Sequence, residues 1–403
     1  MSQETQIQVE KSINASPSQI YYAITNSTAL REWMCDFATT DPKAGGRLYL
    51  WWNGGFYVCA EFTSLERDKT IAFTWKGRPD PGPTQVKVSL SKQGERTHVI
   101  LIHSGIGTSD EWKAIPKEFL DEWTSSLENL ASVLETGQDL RFVRRPMLGI
   151  SIGDYNPEVA ARLGIPVTEG LRLDSTLEGM GAYAAGLRKN DVVVSMAGQA
   201  VTNYPTLVTA LQSKHAGEKI EVEFFRGNQR KTVTMELSRR PLPDIPGTAK
   251  ELAEAVRKIY TNQDIELDQC FAGVSEKEAD HRPAKDEWSA KEVVAHLIHS
   301  ERGTLIYMDG LIGGQEQWSD DDSGNQMAHI QATVSTFPTI PDLLNELKHL
   351  HAEILAYITN LPVEFVARKG SCWRLAYLFL EGNFHPQGHY AQIRSAIADA
   401  RKR

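Results

Sequence analysis

Three histidines near the end of the chain have the residue type and the spacing of a metal-binding set. His385 and His389 stand four positions apart, so a helix would place both imidazoles on one face. His296 lies well upstream, within a second helical pattern. Three neutral imidazoles can hold one divalent cation and leave coordination positions for water, hydroxide or a substrate. The chemistry predicted is that of a Lewis acid, or of a metal that binds a substrate thiolate.

Helices must bring these histidines together. Apolar periodicity predicts four helices, at 249–270, 290–311, 341–361 and 373–401. Packing them side by side would bring the three imidazoles to one point. The alternative is that these histidines line a polar bundle interior or surface and bind no metal. The other histidines of this region are interpreted as ordinary bundle residues: His299, His329, His349 and His351.

The C-terminal region, 247–403, resembles the DinB-like superfamily. The likeness rests on Trp288-Ser289 at a helix start, on His296-Leu297 followed by Glu301, and on the terminal His-x-x-x-His-x-x-Gln-Ile. It implies a four-helix bundle that holds a divalent metal, Zn, Ni, Fe or Mn, on the three histidines of the set. By likeness to DinB-like thiol transferases and related hydrolases, it also implies an enzyme acting on a small substrate, including thiols. No catalytic residue is assigned, although Glu301 is a candidate general base.

Two features of this region depart from a simple four-helix pattern. Pro386 directly follows a predicted ligand and lacks the N–H that a continuous helix needs. Either the last helix is kinked between Gly382 and Pro386, or a new helix begins near Asn383. The long connection from Gly313 to Pro338 is interpreted as a solvated loop, or as a lid over the metal site.

Length and composition indicate a soluble protein of several domains. The chain has 403 residues, of which 41% are hydrophobic and 24% charged, so two to four domains are expected. A net charge of −9 argues against nucleic acid or an anionic membrane as the main partner. No signal peptide and no apolar span are present, which predicts a cytoplasmic protein. The four cysteines are widely spaced and are interpreted as reduced thiols.

The N-terminal region, 5–138, has one helical start among strand patterns and ends in a long helix. After a first strand at 7–13 and a helix start at Ser16-Pro17, strands are predicted at 47–52, 56–64, 70–75, 84–91 and 97–104. A final helix is predicted over 112–134, with an apolar stripe of Leu120, Trp123, Leu127, Leu130 and Leu134. A curved antiparallel sheet that grips this helix would bury the stripe.

This order resembles the START-like, helix-grip superfamily (SRPBCC), in its branch related to activators of chaperone ATPases (AHSA-type). The likeness rests on Trp33, on Pro42-x-x-Gly45-Gly46-Arg47, and on the helix that ends in Glu135-Thr136-Gly137. It implies an apolar cavity between helix and sheet and a small apolar ligand as a partner. The lining candidates are Trp33, Phe56, Trp75 and Trp123. The alternative is that these aromatic side chains are ordinary core residues.

The middle region, 146–240, resembles PDZ domains of the bacterial type. The likeness rests on Met147-Leu148-Gly149-Ile150, on the segment from Ala184 to Gly198, and on a groove helix at 207–211. It implies a β-barrel-like domain that binds an extended or C-terminal peptide of a protein partner. Backbone N–H groups around Leu148, Gly149 and Ile150 would hold a carboxylate, and Leu211 would favour a hydrophobic terminal side chain.

The sequence therefore predicts a multidomain α+β chain made of a helix-grip domain, a PDZ domain and an all-α bundle. Two classes of function follow. The first is a metal-dependent transferase or hydrolase coupled to peptide and apolar-ligand binding. The second is a noncatalytic sensor or adaptor that combines the same three binding sites. Likeness of fold alone does not decide between them.

Overall fold

The computed structural model describes residues 5–285, 287–317, 327–381 and 384–402, with side chains left undescribed at 384–387. The chain divides into two compact units. One contains the N-terminal region up to Asp139 together with everything from Pro243 onward, and the other is 140–242. No helix in the described ranges is long and apolar enough to cross a membrane. None of the four cysteines forms a disulfide.

The N-terminal region is a seven-stranded antiparallel sheet that packs on one long helix. Its strands are β1 (Thr5–Ile13), β2 (Phe37–Thr40), β3 (Arg47–Trp51), β4 (Tyr57–Glu66), β5 (Thr70–Gly77), β6 (Thr84–Gln93) and β7 (Arg96–Ile106). Its helices are α1 (Pro17–Thr25), α2 (Ser27–Trp33) and α3 (Ile115–Thr136). The strand order is β1-β7-β6-β5-β4-β3-β2, so the sheet is open. The alternating burial of β5 gives the sheet one face toward α3.

The long helix α3 differs in detail from the expected one. A short 3₁₀ turn covers Asp110–Trp112, and α3 itself begins at Ile115, where Pro116 fits the first turn. Leu120, expected in the apolar stripe, is 41% exposed, and Phe119 is buried in its place. The strand β2 was not expected, because four residues at a sheet edge carry too short an alternation to be recognised.

The middle region forms a smaller mixed unit around its own core. Its strands are β8 (Ile150–Gly153), β9 (Leu171–Thr176), β10 (Val192–Met196), β11 (Gln199–Ala200), β12 (Lys219–Arg226) and β13 (Gln229–Glu236). Its helices are α4 (Leu140–Val143), α5 (Pro157–Leu163), α6 (Gly181–Ala184) and α7 (Tyr204–Leu211). The sheet order is β13-β12-β10-β9-β8, with β11 beside β10. The sheet does not close, and β8 is a terminal strand.

The C-terminal region is all helical, but it has more helices than the four expected. They are α8 (Ala249–Phe271), α9 (Glu276–Ala279), α10 (Ala290–Gly313), α11 (Met327–Thr336), α12 (Ile340–Thr359), α13 (Val363–Val366), α14 (Lys369–Leu380) and α15 (Phe384–Ala400). The helix expected over 373–401 is two helices. The connection expected as a loop contains α11, and its acidic run Asp320–Asp322 lies outside the described residues.

The N-terminal region and the bundle are joined by polar contacts around Glu316. Arg374 makes a bidentate ion pair with the Glu316 carboxylate, at 2.7 and 2.9 Å, and Arg31 approaches the same carboxylate at 3.2 Å. The Thr28 hydroxyl accepts the Glu316 backbone N–H at 2.9 Å. These contacts connect α2 to α14, so the two regions form one compact unit although each has a core of its own.

A buried carboxyl group lies in the same set of contacts. Glu32 accepts a hydrogen bond from the Ser371 hydroxyl. Burial raises the pKa of Glu32 to about 7, although the neighbouring Arg374 guanidinium opposes the shift. Ionisation of Glu32 therefore lowers the free energy of unfolding of this unit as the pH rises from 4.5, the ordinary carboxyl pKa, toward 7.

Candidate functional site

The first predicted ligand, His296, is set by the start of helix α10. The Ser289 hydroxyl accepts the Glu292 backbone N–H, and the Glu292 carboxylate accepts the Ser289 N–H at 2.8 Å. This capping box fixes where the helix begins. Two turns later His296 points into the bundle, where it is 4% exposed and packs against Trp288, with ring centroids 5.1 Å apart.

The second predicted ligand, His389, lies on α15 and meets His296. Helix α14 ends at Leu380 and α15 begins at Phe384, so Pro386 falls in a first turn, where a missing N–H costs little. Of the two possibilities left open by the sequence, a new helix is therefore the one observed. The ring centroids of His296 and His389 are 4.8 Å apart.

The ring nitrogens of His389 are differentiated by a neighbour on the same helix. His389 Nδ1 lies 3.1 Å from Gln392 Oε1, and an amide oxygen accepts hydrogen bonds. With Nδ1–H donating to this oxygen, Nε2 would be the nitrogen whose lone pair could bind a metal. The glutamine of the terminal motif thus contacts the imidazole of a predicted ligand.

The third predicted ligand, His385, has its side chain outside the described residues. Among the side chains that are described, no group of three or more His, Cys, Asp or Glu is placed to hold a metal. Two of the three imidazoles do converge, one of them buried and the other oriented by Gln392. This donor set fits a divalent cation that accepts nitrogen ligands.

The remaining histidines of the bundle do not all behave as expected. His349 is exposed, in agreement with an ordinary role. His299 is half-buried against His329, with ring centroids 4.0 Å apart, and burial lowers its pKa. His351 is buried among other polar groups. The sequence could have indicated that His351 is buried, because on α12 it lies on the same helix face as the buried Leu347, Ile354 and Ile358.

His351 belongs to a cluster around a cavity of about 200 Å³ inside the bundle. Its ring stacks on Tyr260 at 3.9 Å, and its Nδ1 lies 2.9 Å from an Asp264 oxygen. The Tyr260 hydroxyl donates to Glu301 Oε2 at 2.8 Å. His351 Nε2 lies 3.9 Å from the other Glu301 oxygen. Burial raises the pKa of Glu301 despite the nearby His351.

The cavity lies beside the histidine pair. Leu297 and Tyr390, the sequence neighbours of His296 and His389, both line it. The Tyr390 hydroxyl is buried and has no hydrogen-bond partner among the described residues. Glu301 lines the cavity five positions after His296, which turns it to another face of α10. Glu301, the candidate general base, is therefore part of the cavity wall.

The peptide site expected in the middle region depends on the backbone of one loop. The Leu148 carbonyl accepts the Ala182 N–H at 3.1 Å, and the Gly149 carbonyl accepts the Leu177 N–H at 2.8 Å. Across a trans peptide the following N–H points the opposite way. The N–H groups of Gly149 and Ile150 therefore point away from the 177–182 segment, where they can hold an anion.

Side chains around this loop are partly open. Leu148 is buried in the core, whereas Ile150 and Leu211 are partly buried against it. Two apolar side chains that were not expected as site residues, Ile152 on β8 and Val208 on α7, are 40% and 49% exposed. The alternation of residues along the edge strand β8 and the helical spacing along α7 could have indicated both positions from the sequence.

The apolar pocket expected in the N-terminal region is almost closed. The void there measures about 10 Å³, and both Trp33 and Trp123 line it. That is about the volume needed for one water molecule. Trp75 packs on Trp123 with ring centroids 5.2 Å apart, and its buried Nε1 has no hydrogen-bond partner among the described residues. Phe56 packs on Trp52 and is partly buried.

A buried histidine that the sequence did not suggest completes this core. Trp123 Nε1 donates to His103 Nδ1 at 3.0 Å, so the His103 proton is on Nε2. That nitrogen lies 2.6 Å from the Thr84 hydroxyl, which donates to the Trp75 carbonyl. Burial lowers the pKa of His103 to about 4. The imidazole is therefore neutral, and both of its nitrogens have hydrogen-bond partners.

Comparison with known proteins identifies three domain families, in the predicted order. The model of the Activator of Hsp90 ATPase homolog 1-like family matches 14–135, the PDZ domain family matches 146–237, and the DinB superfamily matches 263–393. The prediction of these three domains and of a mixed α+β chain is confirmed. Each family accounts for one part of the chain.

Among curated proteins, the PDZ region is distantly similar to HtrA-type serine proteases. A probable periplasmic serine protease do/HhoA-like of Haemophilus influenzae is 29% identical over 105 residues, which are 26% of this chain and 22% of that protein. A serine protease Do-like HtrA of Lactococcus lactis subsp. cremoris is 29% identical over 163 residues, 39% of this chain and 35% of that protein. The chain thus spans a minor part of these relatives.

Solved structures match about a third of the chain. A protein from Mesorhizobium loti is 21% identical and covers 32% of this chain and 97% of its own, with a TM-score of 0.30. An HSP90 activator from Plasmodium falciparum is 23% identical and covers 32% of this chain and 96% of its own, with a TM-score of 0.29.

Proposed function

We propose that the C-terminal bundle binds one divalent metal, Zn, Ni, Fe or Mn, through His296, His385 and His389. The observation that carries the proposal is the convergence of His296 and His389 in the bundle interior, with Gln392 orienting the second ring. Bound there, the metal would supply a Lewis acid or a site for a substrate thiolate. The chain would then be a transferase or hydrolase acting on small substrates, including thiols.

The residues of the chain have separate parts in this proposal. Gln392 holds the His389 proton on Nδ1, so that Nε2 faces outward from that bond. Trp288 packs against the His296 ring and excludes water from one side. Leu297 and Tyr390 border the adjoining cavity, which gives a small substrate a place beside the metal.

Metal analysis tests the metal site directly. Wild-type protein supplied with each metal should hold about one equivalent after desalting, and His296→Ala or His389→Ala should hold far less. His349→Ala is the matched control, because His349 is exposed on the same bundle. Stoichiometric metal in the His389→Ala protein would show that the three-histidine assignment is wrong.

The thiol chemistry has a spectroscopic test. In cobalt-substituted protein, a small thiol that binds the metal as thiolate should produce a sulfur-to-cobalt charge-transfer band. A band without turnover of any thiol substrate would favour the second candidate, a noncatalytic sensor or adaptor. That candidate is favoured by the presence of a peptide-binding fold in the same chain.

We further propose that the PDZ domain binds peptides with a free, hydrophobic C-terminus. The outward N–H groups of Gly149 and Ile150 would bind the carboxylate, and Ile150 and Leu211 would contact the terminal side chain. Paired peptides with free and amidated termini test this. Equal affinity for the two would remove the carboxylate assignment. Val208→Lys should weaken hydrophobic peptides, because Val208 is exposed on α7.

An apolar ligand of the N-terminal domain has weaker support, because the void between Trp33 and Trp123 is only about 10 Å³. Binding would require the core to open. Saturable uptake of an apolar dye by the full chain, with an unchanged circular dichroism spectrum, would support it. Absence of dye uptake would indicate that the aromatic side chains of this domain form a closed core.

A further inference from the structure

We propose that His351 carries protons between Glu301, on the wall of the bundle cavity, and Asp264, in a groove on the bundle surface. The relay deepens the proposed function and rests on it for the reaction that uses the proton, with Glu301 as the candidate base and His351 acting through it. The juxtaposition that carries the inference is one buried imidazole with a carboxylate beside each of its two nitrogens.

The two carboxylates lie on opposite sides of one wall. Glu301 lines the cavity of about 200 Å³ inside the bundle, and Asp264 lines a separate groove of about 480 Å³ along α8 and α12. Tyr260 and His351 line both spaces, so their stacked rings stand between the cavity and the groove. The groove side is open to solvent, because the Asp264 side chain is 24% exposed whereas that of His351 is 4% exposed.

The His351 ring is held in an orientation that suits transfer between these carboxylates. It lies nearly parallel to the Tyr260 ring, at 11°, and its Nδ1 lies 2.9 Å from Asp264 Oδ1. A carboxylate oxygen accepts hydrogen bonds, so Nδ1 donates its proton to Asp264 and Nε2 has a lone pair. Nε2 lies 3.9 Å from Glu301 Oε1, so the two must approach by about 1 Å before a proton passes.

The Glu301 carboxyl group is suited to take and give a proton. The Tyr260 hydroxyl donates to its Oε2 at 2.8 Å, which leaves Oε1 as the oxygen nearest the imidazole. Burial raises the pKa of Glu301, which brings the carboxyl group closer to neutral pH, where a base works best. The other titratable side chains of the cavity wall, Glu381 and Tyr390, have no hydrogen bond to Glu301 or His351 among the described residues.

The transfer conserves protons and electron pairs. The O–H bond of protonated Glu301 breaks as an N–H bond forms at His351 Nε2, and the Nδ1–H bond breaks as an O–H bond forms on Asp264. Asp264 then releases the proton to the solvent, and the neutral ring has changed tautomer. Return of one proton from the groove resets the ring. This sequence suits a group transfer in which the nucleophile gives up a proton and the leaving group takes one.

The test is the rate at which Glu301 takes up a proton from the solvent, measured on the full chain after metal has been removed with a chelator. A light pulse releases protons from a caged acid, and time-resolved infrared spectroscopy of protein with isotope-labelled glutamate follows the protonated carboxyl band. Glu301→Gln identifies the band. We expect His351→Gln to slow the uptake at least about tenfold, because a positioned acid–base group contributes roughly 10²- to 10⁴-fold to proton transfer.

Three further proteins separate a relay from a structural role. Asp264→Asn keeps an oxygen that accepts the Nδ1 hydrogen but cannot take up a proton, so it should slow the uptake as well. His349→Gln is the matched control, because His349 is exposed on the same helix, and it should leave the rate unchanged. In His351→Ala, added imidazole should restore the rate, whereas N-methylimidazole, with one nitrogen blocked, should not. Circular dichroism confirms that each variant is folded.

Several outcomes would overturn the relay. They are an unchanged rate in folded His351→Gln, no recovery of His351→Ala with imidazole, equal recovery with the two imidazoles, and a Glu301 that keeps one protonation state wherever the protein is folded. Because the measurement uses metal-free protein, failure of the three-histidine site would not change these rates. Full metal binding together with unchanged rates would remove the relay alone, so the two proposals can fail separately.

Discussion

The N-terminal core and the interior of the bundle each bury an imidazole against an aromatic ring, but they differ in the volume of the cavity beside it. His103 stacks on Phe119 at 4.2 Å, and both of its nitrogens have partners, in a core whose void is about 10 Å³. His351 stacks on Tyr260 at 3.9 Å, beside a cavity of about 200 Å³.

The two interiors also differ in how completely their polar groups are hydrogen-bonded. In the N-terminal core the chain from Trp123 through His103 to Thr84 uses every donor and acceptor of the imidazole. In the bundle, Glu301 has unused acceptor capacity and Tyr390 has none of its capacity used among the described residues. Burial of a polar side chain is common to both, and only the second arrangement leaves hydrogen-bonding capacity unused among the described residues.

The largest expected effect comes from opening the closed core. Trp123→Ala removes a side chain that contacts Trp75 and donates to His103, so we expect a loss of about 4 kcal/mol of unfolding free energy, measured by urea denaturation. Phe56→Ala is the control, because Phe56 is only partly buried, and it should cost much less. Equal losses for the two would contradict a tightly filled core.

The next effect is acid destabilisation through His103. Its pKa is lowered to about 4 in the fold from an ordinary 6.5, so its stabilising contribution is full above pH 6.5 and is lost as the pH falls through 4. The shift corresponds to about 3 kcal/mol. Urea denaturation at pH 7 and pH 4 should show a smaller loss in His103→Gln than in wild type.

Glu32 titrates over part of the same pH range with the opposite sign. Its pKa is raised to about 7, so its unfavourable contribution grows as the pH rises from 4.5 toward 7. The His103 comparison should therefore be repeated in a Glu32→Gln background. If the pH dependence is the same with and without His103 in that background, the imidazole is not the buried neutral group described above.

The domains were predictable because their patterns are local, whereas the polar clusters join distant residues. Trp288-Ser289 and the Pro386 segment specify helix starts within a few positions. Tyr260 and Glu301 meet only after α8 and α10 pack. The many aromatic residues of the N-terminal region suggested a pocket there, because composition does not reveal whether aromatic side chains fill a space or surround one.

A smaller effect tests the hydrogen bond that orders the bundle cluster. Tyr260→Phe removes the hydroxyl that donates to Glu301 at 2.8 Å, so we expect a loss of roughly 1.5 kcal/mol, because a buried acceptor is left without its partner. Tyr357→Phe removes a hydroxyl that donates to the Asp309 carboxylate at an exposed position, so it should lower the unfolding free energy less. A Tyr260→Phe protein as stable as wild type would mean that Glu301 is solvated through the cavity.

The smallest effect, and the one with the opposite sign, is expected at Tyr390. Its hydroxyl is buried without a partner among the described residues, so Tyr390→Phe should leave the unliganded protein equally stable or stabilise it by up to about 1 kcal/mol. Thermal denaturation of wild type and of Tyr390→Phe measures this difference in stability. A Tyr390→Phe protein that is clearly destabilised without ligand would show that the hydroxyl already has a structural partner, such as an ordered water, and the contrast between the two interiors would then disappear.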